Sequence, residues 1–481
     1  MVARRDIRQR LIRELLFEVG IVTEGAVCRP PHPRQRGTFK PSDNAVLDVA
    51  QITTMNGTDP VDDIHIVPGR FVVKAKALEQ FMKRLPKTAR VTGDPLKFSD
   101  DLVIVSIEFE RLEDDSQSAA NTRGSLELIR TTSTTDEGTT QFFAPMYGFI
   151  CHQTSHPVDD PELVNAGGSN FALARARAQV GSSAGTGVRI VVIDTGRRRA
   201  DVKKSSKDEI DYLRANTPAA ATKTSNSPYL GRAAGHGTFI AGLLTQVVPG
   251  AEVIVLRALS TDGIVDELRF ATKISEAAKL QPDLVLICCG GTMYRLGNNQ
   301  QWLHPLLLKA AITDLLKTTK TKGTVVVMSA GNDGSGDHNY PAAFADPAQP
   351  LANVGGRLVS VAALDNDNWR AYFSNYGPWV TASALGVRLE SNYVNGDEAP
   401  DNDPDGSPES WNEKDPWAVW SGTSFAAPLV AGMIARTQWA RRQKTPNATA
   451  TDAWQVLRSI SAPGPSPSCG VVIAAPMVAH A

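Results

Sequence analysis

Ser424 stands in the run S-G-T-S-F-A-A-P, where small residues crowd it and an apolar stretch begins at Phe425. That pattern predicts a serine at the start of a buried helix, where unpaired backbone N–H groups and the positive end of the helix dipole face an incoming anion. A hydroxyl so placed can act as a nucleophile if a base takes its proton. His236, between Gly235 and Gly237 in G-H-G-T, can be that base. Asp194, which ends V-R-I-V-V-I-D and precedes Thr195 and Gly196, can hold the imidazole tautomer and stabilise its cation. Asn332, in S-A-G-N-D-G, can offer its side-chain amide to an oxyanion, a contact worth on the order of 100- to 1,000-fold in rate. Singly, each has a structural explanation: a helix cap, a strand-end cap, a packed histidine. Together they supply every role that acyl transfer by a serine requires.

Alternating strands and helices are needed to bring residues so far apart in sequence to one place. Residues 188–194 are nearly all apolar, as a parallel strand covered on both faces must be. Helical patterns follow at 236–248, 266–280 and 305–320, and strand patterns at 252–258, 284–288 and 324–329. The succession predicts an α/β parallel sheet with its ligand site at the carboxyl ends of the strands. Before it, 70–76 and 102–110 read as strands around a short helix at 77–85, with 114–123 as a linker and further strands at 126–131 and 140–150. The expected division is an α+β N-terminal domain over 1–151, a linker over 152–187 and a catalytic domain over 188–481.

A chain of 481 residues is long enough for two cores. Its formal net charge of -1 gives no electrostatic basis for nucleic-acid binding. Five cysteines, two of them adjacent, read as reduced thiols rather than a disulfide framework. Residues 4–19 interleave charge with Ile7, Leu11, Leu15 and Val19, which predicts an amphipathic helix rather than an export signal. A cytoplasmic setting is therefore expected, and no stretch is apolar enough for a membrane span.

The stretches V-V-I-D-T-G, G-H-G-T-F-I-A-G, S-A-G-N-D-G and S-G-T-S-F-A-A-P-L-V-A-G resemble, in the same order, the four signatures of the subtilisin-like serine endopeptidases, the subtilase family. The resemblance implies a subtilisin-like parallel sheet with helices on both faces. It implies a catalytic triad of Asp194, His236 and Ser424, with Asn332 and the Ser424 backbone N–H as oxyanion hole. It also implies that an extended protein or peptide substrate adds as a strand between two edges, here Leu259, Ser260, Thr261, Asp262 and Gly263 on one side and Cys288, Cys289, Gly290 and Gly291 on the other. Ala330, Gly331, Asn332 and Asn339 would line the pocket for the residue before the scissile bond. No cofactor is required by this chemistry, and G-H-G-T argues against a relative that uses Glu in place of histidine.

Several positions depart from the family pattern. Arg197, Arg198 and Arg199 follow Asp194 where relatives carry His-Pro, and Phe239 follows G-H-G-T at a place expected to narrow the cleft wall. Cys288 and Cys289 replace Ser-Leu, as buried small hydrophobes or as a thiol facing the cleft. Asp333 and Asp337 in the loop 333–339 would favour a basic side chain if they face the pocket. Asp401, Asp403 and Asp405 copy the front of a calcium loop, but Asn412 stands where its glutamate belongs. The N-terminal domain resembles family pro-domains, whose carboxyl end lies product-like in the cleft. It could act as the chain's own inhibitor, released by cleavage within 152–187, or make the protein a regulated binding scaffold.

Overall fold

Three stretches before residue 151 are rich in Val, Ile and Phe, and they become antiparallel strands: β1 (Ile66–Lys74), β2 (Leu102–Phe109) and β3 (Phe143–Ile150). The computed structural model describes residues 66–112, 117–133, 141–151, 161–163, 182–197, 229–293, 295–296, 301–348, 351, 357–398, 409–411 and 417–475, all within one compact unit, Lys40–Ala481. The expected helix at 4–19 and the acidic triplet Asp401, Asp403 and Asp405 lie outside the described residues.

β1 pairs with β2 on one side and with β3 on the other. Helix α1 (Leu78–Lys83) follows β1, and helix α2 (Gln117–Ser133) packs on the sheet. α2 corrects the sequence reading of a linker at 114–123 and a strand at 126–131. Its buried residues include Ala120, Gly124, Ser125, Leu128 and Ile129. That spacing marks one helical face, and tertiary packing on it overrides the local β preference of Ile129, Thr131 and their neighbours.

The parallel sheet follows. Its strands are β4 (Arg189–Asp194), β5 (Glu252–Arg257), β7 (Leu284–Ile287), β8 (Val325–Ser329), β9 (Leu358–Leu364), β10 (Ala382–Leu385) and β13 (Val471–Val472), in the spatial order β13-β10-β9-β8-β7-β4-β5. Between them lie helices α3 (His236–Val247), α4 (Glu267–Lys279), α5 (Leu306–Thr318), α6 (Thr423–Arg442) and α7 (Ala450–Ile460). The strands alternate between two cores. Val191, Ile193, Val285 and Ile287 face one that includes α4 and α5, while Ile190, Val192, Leu284 and Leu286 face the other with α3 and α6. Each fully buried side chain of this kind contributes about 1.5–3 kcal/mol.

One short strand, β6 (Ile264–Asp266), leaves the parallel body and joins the N-terminal sheet by pairing antiparallel with β3. The two sheets also share a core, in which Phe71, Phe81, Phe143 and Phe149 meet Phe270 and Ile274 of α4 and Leu307 of α5. Phe149 and Phe270 stack edge to face at 5.4 Å, worth about 0.5–1.5 kcal/mol beyond burial.

A single carboxylate ties this junction. The N-cap of α5 is Pro305, which has no side-chain oxygen to cap the helix. Glu267, in the first turn of α4, accepts from Leu307 N–H at 2.8 Å and Leu308 N–H at 3.3 Å instead, and from Tyr147 N–H of β3 at 3.2 Å. Burial pushes its carboxyl up to about 8 against these three donors. Among the described residues no helix is long and apolar enough to cross a membrane.

Candidate active site

β4 runs straight into Asp194, and the sheet order puts that carboxylate beside the strand β7 at its carboxyl end. Thr195 locks it: its N–H donates to Asp194 Oδ1 at 2.7 Å and its hydroxyl at 3.2 Å, while the same hydroxyl accepts from Gly237 N–H at 3.1 Å. Glycine at 237 permits this approach, since a Cβ there would stand 2.2 Å from the Gly196 carbonyl. His236, the first residue of α3, then places Nδ1 2.9 Å from Asp194 Oδ1 and 3.0 Å from Oδ2. A carboxylate only accepts, so Nδ1 carries the proton and Nε2 is left as the basic nitrogen. Nε2 is buried and has no hydrogen-bond partner among the described residues. Trp420 and Phe425 flank the ring at centroid distances of 5.6 and 5.4 Å.

Ser424 occupies the second position of α6, one residue before the Phe425 that touches His236. Its hydroxyl donates to the Cys288 carbonyl at 3.1 Å rather than to His236. Asn332 follows β8 on the next strand of the sheet, and its orientation is dictated by Thr423. Asn332 Oδ1 accepts from Thr423 N–H at 2.9 Å and from its hydroxyl at 2.8 Å. With the carbonyl side so engaged, Nδ2 is directed at the Gly422–Ser424 turn, where a Cβ on Gly422 would come within 3.6 Å of it. Asp194, His236, Asn332 and Ser424 are all buried, so their mutual interactions are weakly screened.

The two expected substrate edges flank this centre, and a strand already runs between them. Ile150 and Gly290 exchange both backbone hydrogen bonds at 3.0 Å in an antiparallel bridge. Cys151 N–H donates to the Gly263 carbonyl at 3.0 Å on the opposite side. Upstream, Gly148, Phe149 and Ile150 pair with Asp266, Val265 and Ile264. The end of β3 is therefore the middle strand of a three-stranded ribbon inside the cleft. Past residues 152–160, which lie outside the described residues, Glu162–Leu163 pairs with β12 (Trp417–Trp420), the strand that leads to Ser424 and that pairs on its other side with β11 (Leu389–Asn392). Glu162 is held there by Arg388 at 3.0 and 3.2 Å.

A family model described as the subtilase family matches residues 185–461, more than half of the chain. This protein is a member of the subtilase family. It is 26% identical to Subtilisin Savinase of Lederbergia lenta over 277 residues, 55% of this chain and 79% of that protein. Against M-protease of Shouchella clausii (strain KSM-K16) the identity is again 26% over 277 residues, and the match spans only 56% of that protein's length. Thermitase of Thermoactinomyces vulgaris is 26% identical over 268 residues, 52% of this chain and 74% of that protein. A crystal structure of a cold adapted subtilisin-like serine proteinase aligns with a TM-score of 0.40 at 19% identity, covering 62% of this chain and 91% of that one.

Within this subtilase the residues expected to line the pocket meet at one point. A Cβ on Gly290 would lie 2.0 Å from Asn339 Oδ1, and one on Gly331 would lie 3.0 Å from Asn339 Nδ2. One expectation changes, and for the adjacent thiols the structure selects the buried alternative. Phe239 is fully buried between Trp420 and Phe425, at 5.8 and 4.6 Å, and belongs to the core rather than the cleft wall. Cys288 and Cys289 are buried too, one in each core, because strand alternation carries on past Ile287. Asp333 accepts from Asn375 Nδ2 at 3.0 Å, and Asp337 accepts from Ser335 Oγ at 3.2 Å. Thr195, Thr423 and Glu267 were not anticipated. The first two sit directly beside Asp194 and Ser424, which was their only signal; nothing local marked Glu267.

Proposed function

We propose that this protein is a serine endopeptidase that hydrolyses peptide bonds through Asp194, His236 and Ser424 and is restrained by its own N-terminal region. The observation that carries the reading is the buried, unpartnered Nε2 of His236, its tautomer set by Asp194, beside a serine at a helix start. Ser424 Oγ attacks the substrate carbonyl as Nε2 takes its proton. Asn332 Nδ2 and the Ser424 N–H stabilise the oxyanion, and the imidazolium then protonates the leaving amine. The hydroxyl must first leave the Cys288 carbonyl. In an antiparallel ladder alternate residues donate, so a docked peptide that pairs with Gly290 brings its N–H two residues on to the Cys288 carbonyl. That competition would free the hydroxyl to turn toward His236. Side chains and backbone fill every role, so the proposed reaction needs no cofactor.

The restraint is supported by the ribbon that β3 forms with Gly263 and Gly290 in the cleft. A strand there uses the same backbone groups that a substrate would use. Cleavage within 152–187 would separate it from the catalytic part. We further propose a cytoplasmic setting and a protein or peptide precursor as substrate, a reading supported by the buried free thiols of Cys151, Cys288, Cys289 and Cys469.

A fluorophosphonate probe applied to the full chain and to Ser424→Ala, followed by intact mass, tests both parts. Adduct on the wild type only, rising when Ile150→Pro removes the N–H that pairs with Gly290, is the expected result. No adduct in either Ser424-containing protein would leave the fold as a binding scaffold and overturn the enzyme reading.

A further inference from the structure

We propose that Cys151 and Cys289 are a redox latch, a thiol pair whose oxidation to a disulfide fastens the N-terminal strand into the cleft. The inference rests on the self-restrained protease reading above and adds a control that it lacks. Its geometric basis is the register. Ile150 and Gly290 exchange two hydrogen bonds in an antiparallel bridge. The next pair toward the catalytic centre is one residue forward on one strand and one residue back on the other, which is Cys151 opposite Cys289. A pair next to a doubly hydrogen-bonded one is non-hydrogen-bonded, with Cα atoms about 4.5 Å apart and side chains on one face. That spacing lies inside the range of about 4.4–6.8 Å in which a disulfide closes. Cys151 N–H is held by the Gly263 carbonyl on its other side at 3.0 Å, which fixes its place beside the bridge.

Burial separates this pair from the alternative. Cys151 and Cys289 belong to the same core, the one shared with the N-terminal sheet, whereas Cys288 points into the opposite core. Cys469 stands beside Ser466, with which it shares a sulfur contact at 3.3 Å. Burial raises both latch thiols well above the ordinary cysteine range, and the nearby Asp194 charge adds to this, as does Cys289 for Cys151 and Cys288 for Cys289. Docked, they react slowly; reaction begins when the strand lifts.

The oxidant is a small-molecule disulfide, RSSR. The Cys151 thiol, as thiolate, attacks one sulfur of RSSR, forming Cys151–S–S–R and releasing RSH. When the strand redocks, the Cys289 thiolate attacks Cys151 sulfur and a second RSH leaves. Two protein thiols thus lose two electrons and two protons, and one RSSR becomes two RSH. A dithiol reductant reverses the sequence. Oxidation would hold the protease shut and reduction would return it to the opening equilibrium of the free strand.

The test uses the full chain with oxidised glutathione as RSSR, and Cys151→Ser and Cys151→Ala beside the wild type. Free thiols are alkylated, the protein is digested, and cross-linked peptides are mapped; fluorophosphonate labelling is timed on the same samples. The expected result is a Cys151–Cys289 peptide with labelling at least tenfold slower than in the reduced wild type, restored by dithiothreitol. Both Cys151 variants should label at the reduced rate throughout. Absence of that peptide, a bridge to Cys288 or Cys469 instead, or unchanged labelling once the bridge has formed would overturn the latch. Labelling of the reduced Ile150→Pro protein reports on the protease reading separately: if it fails, that reading fails whether or not the bridge forms.

Discussion

The two sheets of this molecule are built from similar residues and serve opposite purposes. In the parallel sheet helices pack on both faces, and the carboxyl ends of its strands deliver Asp194, Cys288 and Asn332 to one spot. The antiparallel sheet delivers no reacting group. It contributes an edge strand, β3, which is completed only by β6 and by Gly290 of the catalytic body. Strand ends in one sheet make the site, and a strand edge in the other fills it. An edge with unpaired backbone groups is a hazard unless it is covered. Here covering the edge and occupying the cleft are the same contact.

Removing the chemistry from the first sheet gives the largest expected effect. Ser424→Ala should abolish fluorophosphonate labelling, and His236→Ala should slow peptide hydrolysis by on the order of 10⁶-fold, the scale measured for triad removal in subtilisin. Because His236 and Ser424 share one task, the double variant should be no slower than the worse single one. Additive losses in steady-state rates would break the assignment.

Asn332→Leu separates transition-state stabilisation from positioning. It should lower kcat on the order of 100- to 1,000-fold with little change in KM. It also strands the N–H and hydroxyl of Thr423, which should cost about 1–3 kcal/mol of stability. A thermal melt beside the kinetics distinguishes the two consequences.

The edge strand comes next. Gly290→Ala places a Cβ against Asn339 and disturbs both the pocket and the bridge to Ile150. Ile150→Pro leaves the pocket intact and removes one bridge hydrogen bond, so it should raise the initial labelling rate of the full chain about tenfold. If Ile150→Pro labels no faster than wild type, the strand does not restrain the site.

The smallest effect on catalysis is expected at Glu267, where the consequence falls on stability and depends on pH. Its carboxyl is near 8 when folded and near the ordinary 4.5 when unfolded. Between those values the folded state holds a proton that the unfolded state has released, so stability falls as pH rises from about 4.5 to about 8 and levels off above. The loss should be a few kcal/mol. Glu267→Gln should flatten that slope in melts at pH 5, 7 and 9. It should also loosen β3, since an amide nitrogen cannot accept from Tyr147 N–H.

The catalytic half was legible because its constraints are local. A parallel strand must be apolar throughout, as residues 284–287 are, and a reactive residue must stand where a strand ends or a helix begins. Asp194, His236, Asn332 and Ser424 each carry that mark in their immediate neighbours. The helix Gln117–Ser133 was misread because Ile129, Thr131 and Thr132 favour a strand when no partner is specified. The thiols at 288 and 289 could not be assigned a face until strand alternation was known to continue beyond Ile287.

Residue type and order alone pointed to the proposed reaction class, its four candidate groups and the fold that carries them, since these follow from short motifs and from hydrophobic periodicity. Tertiary structure decided what lies in the cleft, which thiols face one another, where Ser424 points and how Glu267 caps a helix about forty residues away. Each of those depends on backbone pairing or burial between distant segments, and no local pattern of side chains encodes such a contact.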